Sequence, residues 1–143
     1  MIEVKKAVTP VEHEDVYRMR KTVFVDEQQV PEHIEIDDKE EEASHFIAYS
    51  EGHAVGAARM RLDHKLAKAE RVCILPSHRG RGIGRLLMKE IEREAVRQGA
   101  AVMALNAQTH AADFYTALGY RIVSEEPFLD AGIPHVSMEL ALS

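Results

Sequence analysis

The chain has 143 residues, 45% of them hydrophobic and 29% charged, and its 24 acidic against 18 basic side chains give a formal net charge of −6. That length and balance predict one domain over residues 1–143 with a single core, while the acidic total argues against a general nucleic-acid role and the lack of any run of about 18 apolar residues argues against a membrane span. The lone Cys73 has no partner for an internal disulfide, and Met1-Ile2-Glu3-Val4-Lys5-Lys6 lacks the charged-then-apolar layout of a secretory signal; both fit a reducing cytoplasm.

Taken in order, Ile2 to Val8 reads as a first strand, and Thr9-Pro10-Val11-Glu12 is a capping box with proline at the first helical position. Val16, Met19, Val23 and Phe24 give the helix begun there its apolar face, and an irregular acidic stretch runs from Asp26 to Glu42, broken by Pro31. Ser44 to Tyr49 and Ala54 to Leu62 read as two strands of a hairpin turning at Glu51-Gly52-His53. Leu66 to Leu75 is a further strand, closed by Pro76, and Leu86, Leu87, Ile91 and Ala95 recur at helical spacing in a helix over Gly82–Gln98 that Gly99 stops. Ala101 to Asn106 is the next strand, Ala111 to Leu118 a short helix ended by Gly119, and Tyr120 to Ser124 with Val136 to Leu142 a closing antiparallel pair.

Between strand and long helix lies His78-Arg79-Gly80-Arg81-Gly82-Ile83-Gly84-Arg85, with three glycines and three arginines but no acid. A helix N-terminus presents unpaired N–H groups and the positive end of the macrodipole; glycines let a phosphate approach them, and arginines add forked donors. The segment therefore reads as a pyrophosphate cradle. It is not a nucleotide P-loop, because Arg85 and Leu86 follow Gly84 where Lys and Ser or Thr are needed. Nor is it a dinucleotide fingerprint, because Arg85 stands where the third glycine belongs. What remains is Arg-x-x-Gly-x-Gly, from Arg79 through Gly82 and Gly84.

That pattern resembles the acetyl-coenzyme A loop of the GNAT acetyltransferases. A second motif, Ala112-Asp113-Phe114-Tyr115-Thr116-Ala117-Leu118-Gly119-Tyr120, resembles the family's A-x-x-F-Y-x-x-x-G-[FY] signature, and the order β-α-β-β-β-loop-α-β-α-β-β extends the resemblance to nearly the whole chain. Val23-Phe24-Val25-Asp26-Glu27-Gln28 is similar to a segment of small bacterial acyltransferases grouped near the glucosamine-phosphate acetyltransferases. The resemblance implies an α/β (α+β) GNAT fold, a mixed sheet of about six to seven strands flanked by about four helices, splayed at its centre for the coenzyme A arm.

It further implies direct attack of an amine on the acetyl thioester of acetyl-CoA, with no metal. Free backbone groups for the pantetheine arm would come from Val72, Cys73, Ile74 and Leu75, with the N–H of Cys73 or Ile74 facing the oxyanion. The phosphates would lie on Arg79, Gly80, Arg81, Gly82, Ile83, Gly84 and Arg85. Tyr115 would protonate the departing thiolate and Phe114 would only pack. Asn106 ends the next strand, where it either meets the substrates or caps the helix after Thr109. Alternation places Glu70, Val72 and Ile74 on one face, and Arg71, Cys73 and Leu75 on the other. Glu70 then reads equally as base, water-holder or solvated charge. His110 and His135 have the chemistry of a base, though each also reads as a surface or satisfied histidine. Mid-strand Cys73 reads as packing, not as a nucleophile.

The acceptor stays open. Nine acids against one lysine between Asp26 and Glu42 favour a cationic amine, unless the segment is only a solvated loop; Arg59 and Arg61 point instead to an acceptor phosphate. Other readings of the same scaffold are transfer of a longer acyl chain, O-acylation, or a silent acyl-CoA-binding sensor. A homodimer is compatible with an exposed C-terminal strand.

Overall fold

The computed structural model of the chain describes residues 1–142. Its strands are β1 (Ile2–Lys6), β2 (Ser44–Ser50), β3 (His53–Asp63), β4 (Leu66–Ile74), β5 (Val102–Gln108), β6 (Arg121–Ile122), β7 (Phe128–Asp130) and β8 (Ile133–Ala141); its α-helices are α1 (Pro10–Arg20), α2 (Glu32–Glu35), α3 (Ile83–Arg97) and α4 (Ala112–Ala117). The strands form one sheet in the order β1-β2-β3-β4-β5-β8-β6, with β7 on β8. Every pairing is antiparallel except β4 with β5. No helix among the described residues is long and apolar enough to cross a membrane.

The capping box forms as read: the Glu12 N–H donates to Thr9 Oγ1 at 3.1 Å and the Thr9 N–H to Glu12 Oε1 at 3.0 Å. α1 buries Val16 and Met19 against Ile47, Ala57 and Cys73 on one face of the sheet. α3 buries Ile83, Leu87, Met88, Ile91 and Ala95 on the other, against Phe46, Ala58, Met60, Ala69 and Met103. Two features lie outside the sequence expectations. Lys21–Glu27 continues α1 as a wider, π-helical turn closed by a hydrogen bond from Gln28 N to Val23 O at 3.0 Å. β7 also adds a short hairpin arm to β8, and the last pair shrinks on one side to Arg121–Ile122.

β4 departs from simple alternation. Arg59 pairs with Glu70 and Ala57 with Cys73, so two residues of β4 face one of β3; Arg71, at φ 57°, takes up the extra residue as a bulge. The expectation that Glu70 shares a face with Val72 and Ile74 is therefore corrected: Glu70 lies on the α1 side with Cys73, while Val72 and Ile74 pack toward α3.

Candidate active site

The parallel pairing of β4 with β5 runs only from Leu66↔Val102 to Ala69↔Leu105. Beyond it the strands part, and a groove of about 1550 Å³ opens between Val72, Cys73 and Ile74 on one side and Asn106, Ala107 and Gln108 on the other. That exceeds the ~300–1,000 Å³ of a site for one drug-sized ligand, which leaves room for a large donor and an acceptor together.

At one end of the groove Pro76–His78 form a single 3-10 turn, and Gly80 and Gly82 take φ of 78° and 81° before α3 begins. Gly82 stands at the N-cap with no side-chain hydrogen bond, and no acidic residue lies in the first turn. The leading N–H groups of α3 are thus open to an anion. Gly84 is required by a close approach, since a Cβ there would stand 3.0 Å from Phe114 Cζ; Phe114 packs, as expected.

Of the residues expected to hold a donor, Val72, Cys73, Ile74, Gly80, Gly82, Ile83, Gly84, Arg85, Asn106 and Tyr115 line the groove. Leu75 does not: its N–H is committed to Val55 O at 2.8 Å. Because successive N–H groups of a strand point to opposite edges, that bond turns the Ile74 N–H toward the gap and the Cys73 N–H toward β3. Arg81 is exposed beyond the groove lining, without an ion pair among the described residues. Arg79 lines the groove but is engaged elsewhere: Nε donates to Ile74 O at 2.9 Å, and the two terminal nitrogens hold the Glu27 carboxylate at 2.8 and 2.6 Å.

Tyr115 is placed by the end of its own short helix. The Gly119 N–H bonds to Thr116 O and the Tyr120 N–H to Tyr115 O, a Schellman closure, with the Tyr115 and Tyr120 rings edge-to-face at 5.9 Å. Tyr120 is itself anchored by its hydroxyl on Glu92 at 2.8 Å. The Tyr115 hydroxyl has no hydrogen-bond partner among the described residues, and burial raises its pKa above the usual phenol value, so it stays protonated at neutral pH. Burial also pushes the Cys73 thiol up to about 12, which leaves it inert as a nucleophile.

The acidic stretch is part solvated and part tied down: Asp26, Glu32, Asp38 and Glu41 are exposed, whereas Glu35, Asp37 and Glu40 are held by arginines. Arg20, fully buried in α1, binds Glu35 Oε2 at 2.7 Å and both oxygens of Glu40 at 2.7 and 2.8 Å. Arg59 holds Asp37, Glu40 and Glu70, Arg61 holds Glu70, and Arg71 reaches Glu35 at 3.1 Å. Arg59 and Arg61 are thereby consumed as acceptor-phosphate ligands. Burial alone would raise the Glu70 carboxyl, but Arg61 and Arg59 outweigh it and hold the pKa below its ordinary value. A carboxylate so held is a weak base.

Asn106 faces the groove, its Oδ1 accepting from Ser137 Oγ at 2.9 Å. His110 is exposed and bound to Gln108 Oε1 at 2.6 Å. His135 is buried at the groove with Nδ1 2.6 Å from Ile133 O. A carbonyl only accepts, so Nδ1 carries a proton, and Nε2 has no hydrogen-bond partner among the described residues. No cluster of three metal-ligating side chains occurs among the described residues.

The sheet is thus splayed, with an open helix start on one side of the gap and a buried phenol on the other. A family model described as an acetyltransferase (GNAT) domain matches residues 8–142, and the chain belongs to that family and is an acyltransferase. It is 48% identical over 124 residues to the uncharacterized N-acetyltransferase YjcF of Bacillus subtilis (strain 168), covering 87% of this chain and 89% of that one. An acyl-CoA N-acyltransferase from Pseudomonas aeruginosa is similar in structure, with 27% identity, a TM-score of 0.83 and 99% of both chains covered. A Bacillus subtilis acetyltransferase solved in complex with CoA shares the fold at 15% identity, with a TM-score of 0.75 over 100% of both chains.

Proposed function

We propose that the chain transfers an acetyl group from acetyl-CoA to a primary amine by direct attack with both substrates bound. The observation that carries this reading is the parting of β4 from β5 after Ala69 and Leu105, which leaves a strand edge for an extended donor arm directly below the open start of α3. The structurally similar acetyltransferase solved with CoA supports the donor.

In this reading the pyrophosphate lies on the N–H groups of residues 82–85 with Arg85 beside it, and the pantetheine arm follows Val72–Ile74. The Ile74 N–H takes the thioester oxygen as negative charge develops on it. The amine nitrogen bonds to the acyl carbon, the carbon–sulfur bond breaks, and Tyr115 gives its proton to the thiolate. His135 Nε2 accepts the proton that the amine sheds. Glu70 stays ionised under Arg59 and Arg61 and orients a water or the incoming ammonium without taking its proton. Asn106, between them, holds the acceptor.

Calorimetric titration with acetyl-CoA, alongside Gly82→Glu, tests the reading. Expected is micromolar binding to the wild type that is lost in the folded variant, which places bulk and negative charge where the pyrophosphate belongs. An amine screen with thiol release as readout comes next. No binding to the wild type would overturn the proposal, and binding without turnover across a broad amine panel would favour a sensor.

A further inference from the structure

The end of the π-helical turn bridges the mouth of the splay. Glu27 is bound to Arg79, 52 residues away on the loop after β4. Its neighbour Gln28 accepts from Gln108 Nε2 at 2.8 Å, 80 residues away at the end of β5. Two adjacent residues thus clasp the two sides of the gap. Arg79 commits a third N–H to Ile74 O. Within a strand the N–H and C=O of one residue point to the same edge, so the guanidinium grips the carbonyl of the residue whose N–H, on the preceding peptide, faces the acyl oxygen.

We propose that Arg79 and Glu27 form a strut that holds the Ile74 peptide and the acceptor-side wall in register, so that Arg79 is a positioning residue for the transfer and not a ligand of the donor phosphates. This rests on the acyl-CoA reading above. Three of the five guanidinium N–H groups are already used. A bare Glu27 beside a pyrophosphate would repel it; paired with Arg79 the two are neutral. Arg81 and Arg85, which have no ion pair among the described residues, carry the free positive charge of the loop.

Lysine separates the two roles. An ammonium serves a phosphate as a point charge but cannot hold a carboxylate by a planar fork and a carbonyl by a third donor at once. CoA is therefore titrated into the wild type, Arg79→Lys, Arg79→Gln, Glu27→Gln and Arg85→Gln, and thiol release is followed with the amine found by screening. A strut keeps CoA affinity within about threefold in both Arg79 variants, while Arg85→Gln loses roughly tenfold. It also lowers kcat about tenfold or more in Arg79→Lys and Glu27→Gln alike, at unchanged KM for acetyl-CoA, with the double variant no worse than the worse single. A tenfold affinity loss in Arg79→Gln that Arg79→Lys restores would overturn the proposal, as would wild-type kcat in Glu27→Gln. If the wild type binds no CoA, the acyl-CoA reading fails on its own account. Hydrogen exchange then still tests the strut: the amides of residues 21–28 and of Leu75, which shares its peptide with the Ile74 carbonyl and donates to Val55 O, must exchange faster in both Arg79→Lys and Glu27→Gln, and unchanged protection would sink it.

Discussion

Replacing Arg59 by Met exposes what holds the acidic segment against β3 and β4. The Arg59 side chain is 1% exposed and makes four hydrogen bonds to three carboxylates: Nε to Glu70, one terminal nitrogen to Asp37 and Glu40, the other to Asp37. Without it Glu40 keeps Arg20 and Glu70 keeps Arg61, but Asp37 retains only the Lys39 N–H, at 3.0 Å, and Arg71, at 3.4 Å. Breaking a buried pair costs ~3–5 kcal/mol; because Asp37 is 22% exposed and water recovers part of the loss, about 3 kcal/mol is expected. In urea that moves the unfolding midpoint down by roughly 1–3 M. Arg59 holds the Asp37 carboxyl well below the usual range, so this contribution is present above the unfolded aspartate pKa of ~3.9 and fades as pH falls through the folded value. The penalty of Arg59→Met is therefore greatest near neutral pH and shrinks below about pH 4. Urea unfolding of both proteins from neutral to acid pH measures it. A loss under about 1 kcal/mol at neutral pH, or one equal at both ends of the range, would refute the network's role.

Tyr115→Phe should lower turnover by roughly 10²–10⁴ while leaving CoA affinity intact; an unchanged rate would retire Tyr115 as the acid. Gly56→Ala puts a Cβ 2.8 Å from Ile74 Cδ1 and 2.9 Å from Cys73 O. It should cost ~1–3 kcal/mol, read as a lower Tm, and reduce kcat by displacing the Ile74 peptide; wild-type values for both would show that this peptide tolerates displacement. Cys73→Ala should keep turnover within a few-fold, and acetyl trapped on Cys73 of the wild-type protein would overturn direct transfer.

The strand, loop and helix from Leu66 to Arg97 were legible because each part is local: an apolar run, glycines at a turn, one helical stripe. The Thr9 capping box and the place of Tyr115 on α4, the short helix that Gly119 closes, were legible for the same reason. The ion network was not, because Arg20 meets acids 15 and 20 residues on and Arg59 meets acids 22 and 19 residues back, without a shared period. An arginine on a helix that is otherwise patterned as core and solvent reads as surface, yet Arg20 is among the largest fully buried side chains. The bulge at Arg71 was hidden because nothing but glycine or asparagine advertises a positive φ. Missing it put Glu70 on the wrong face. The engagement of Arg79 with Glu27 was hidden because that partner stands 52 residues upstream, in a turn whose π-helical geometry has no period to read.

The bulge also decides which side of the sheet each row of β4 faces. Its single extra residue lets one strand carry a charged row where it meets Arg59 and an apolar row where it meets Ala57, both on the same side of the sheet. Straightened into plain alternation with the same residues, the strand would drive Cys73 toward α3 and Val72 and Ile74 into the ionic wall, whereas removing one of Arg71 and Val72 would leave a single residue opposite Ala58 and keep Glu70 and Cys73 on the side they share. The left-handed turn at Arg71 is thus what absorbs the extra residue and spares the strand an inversion.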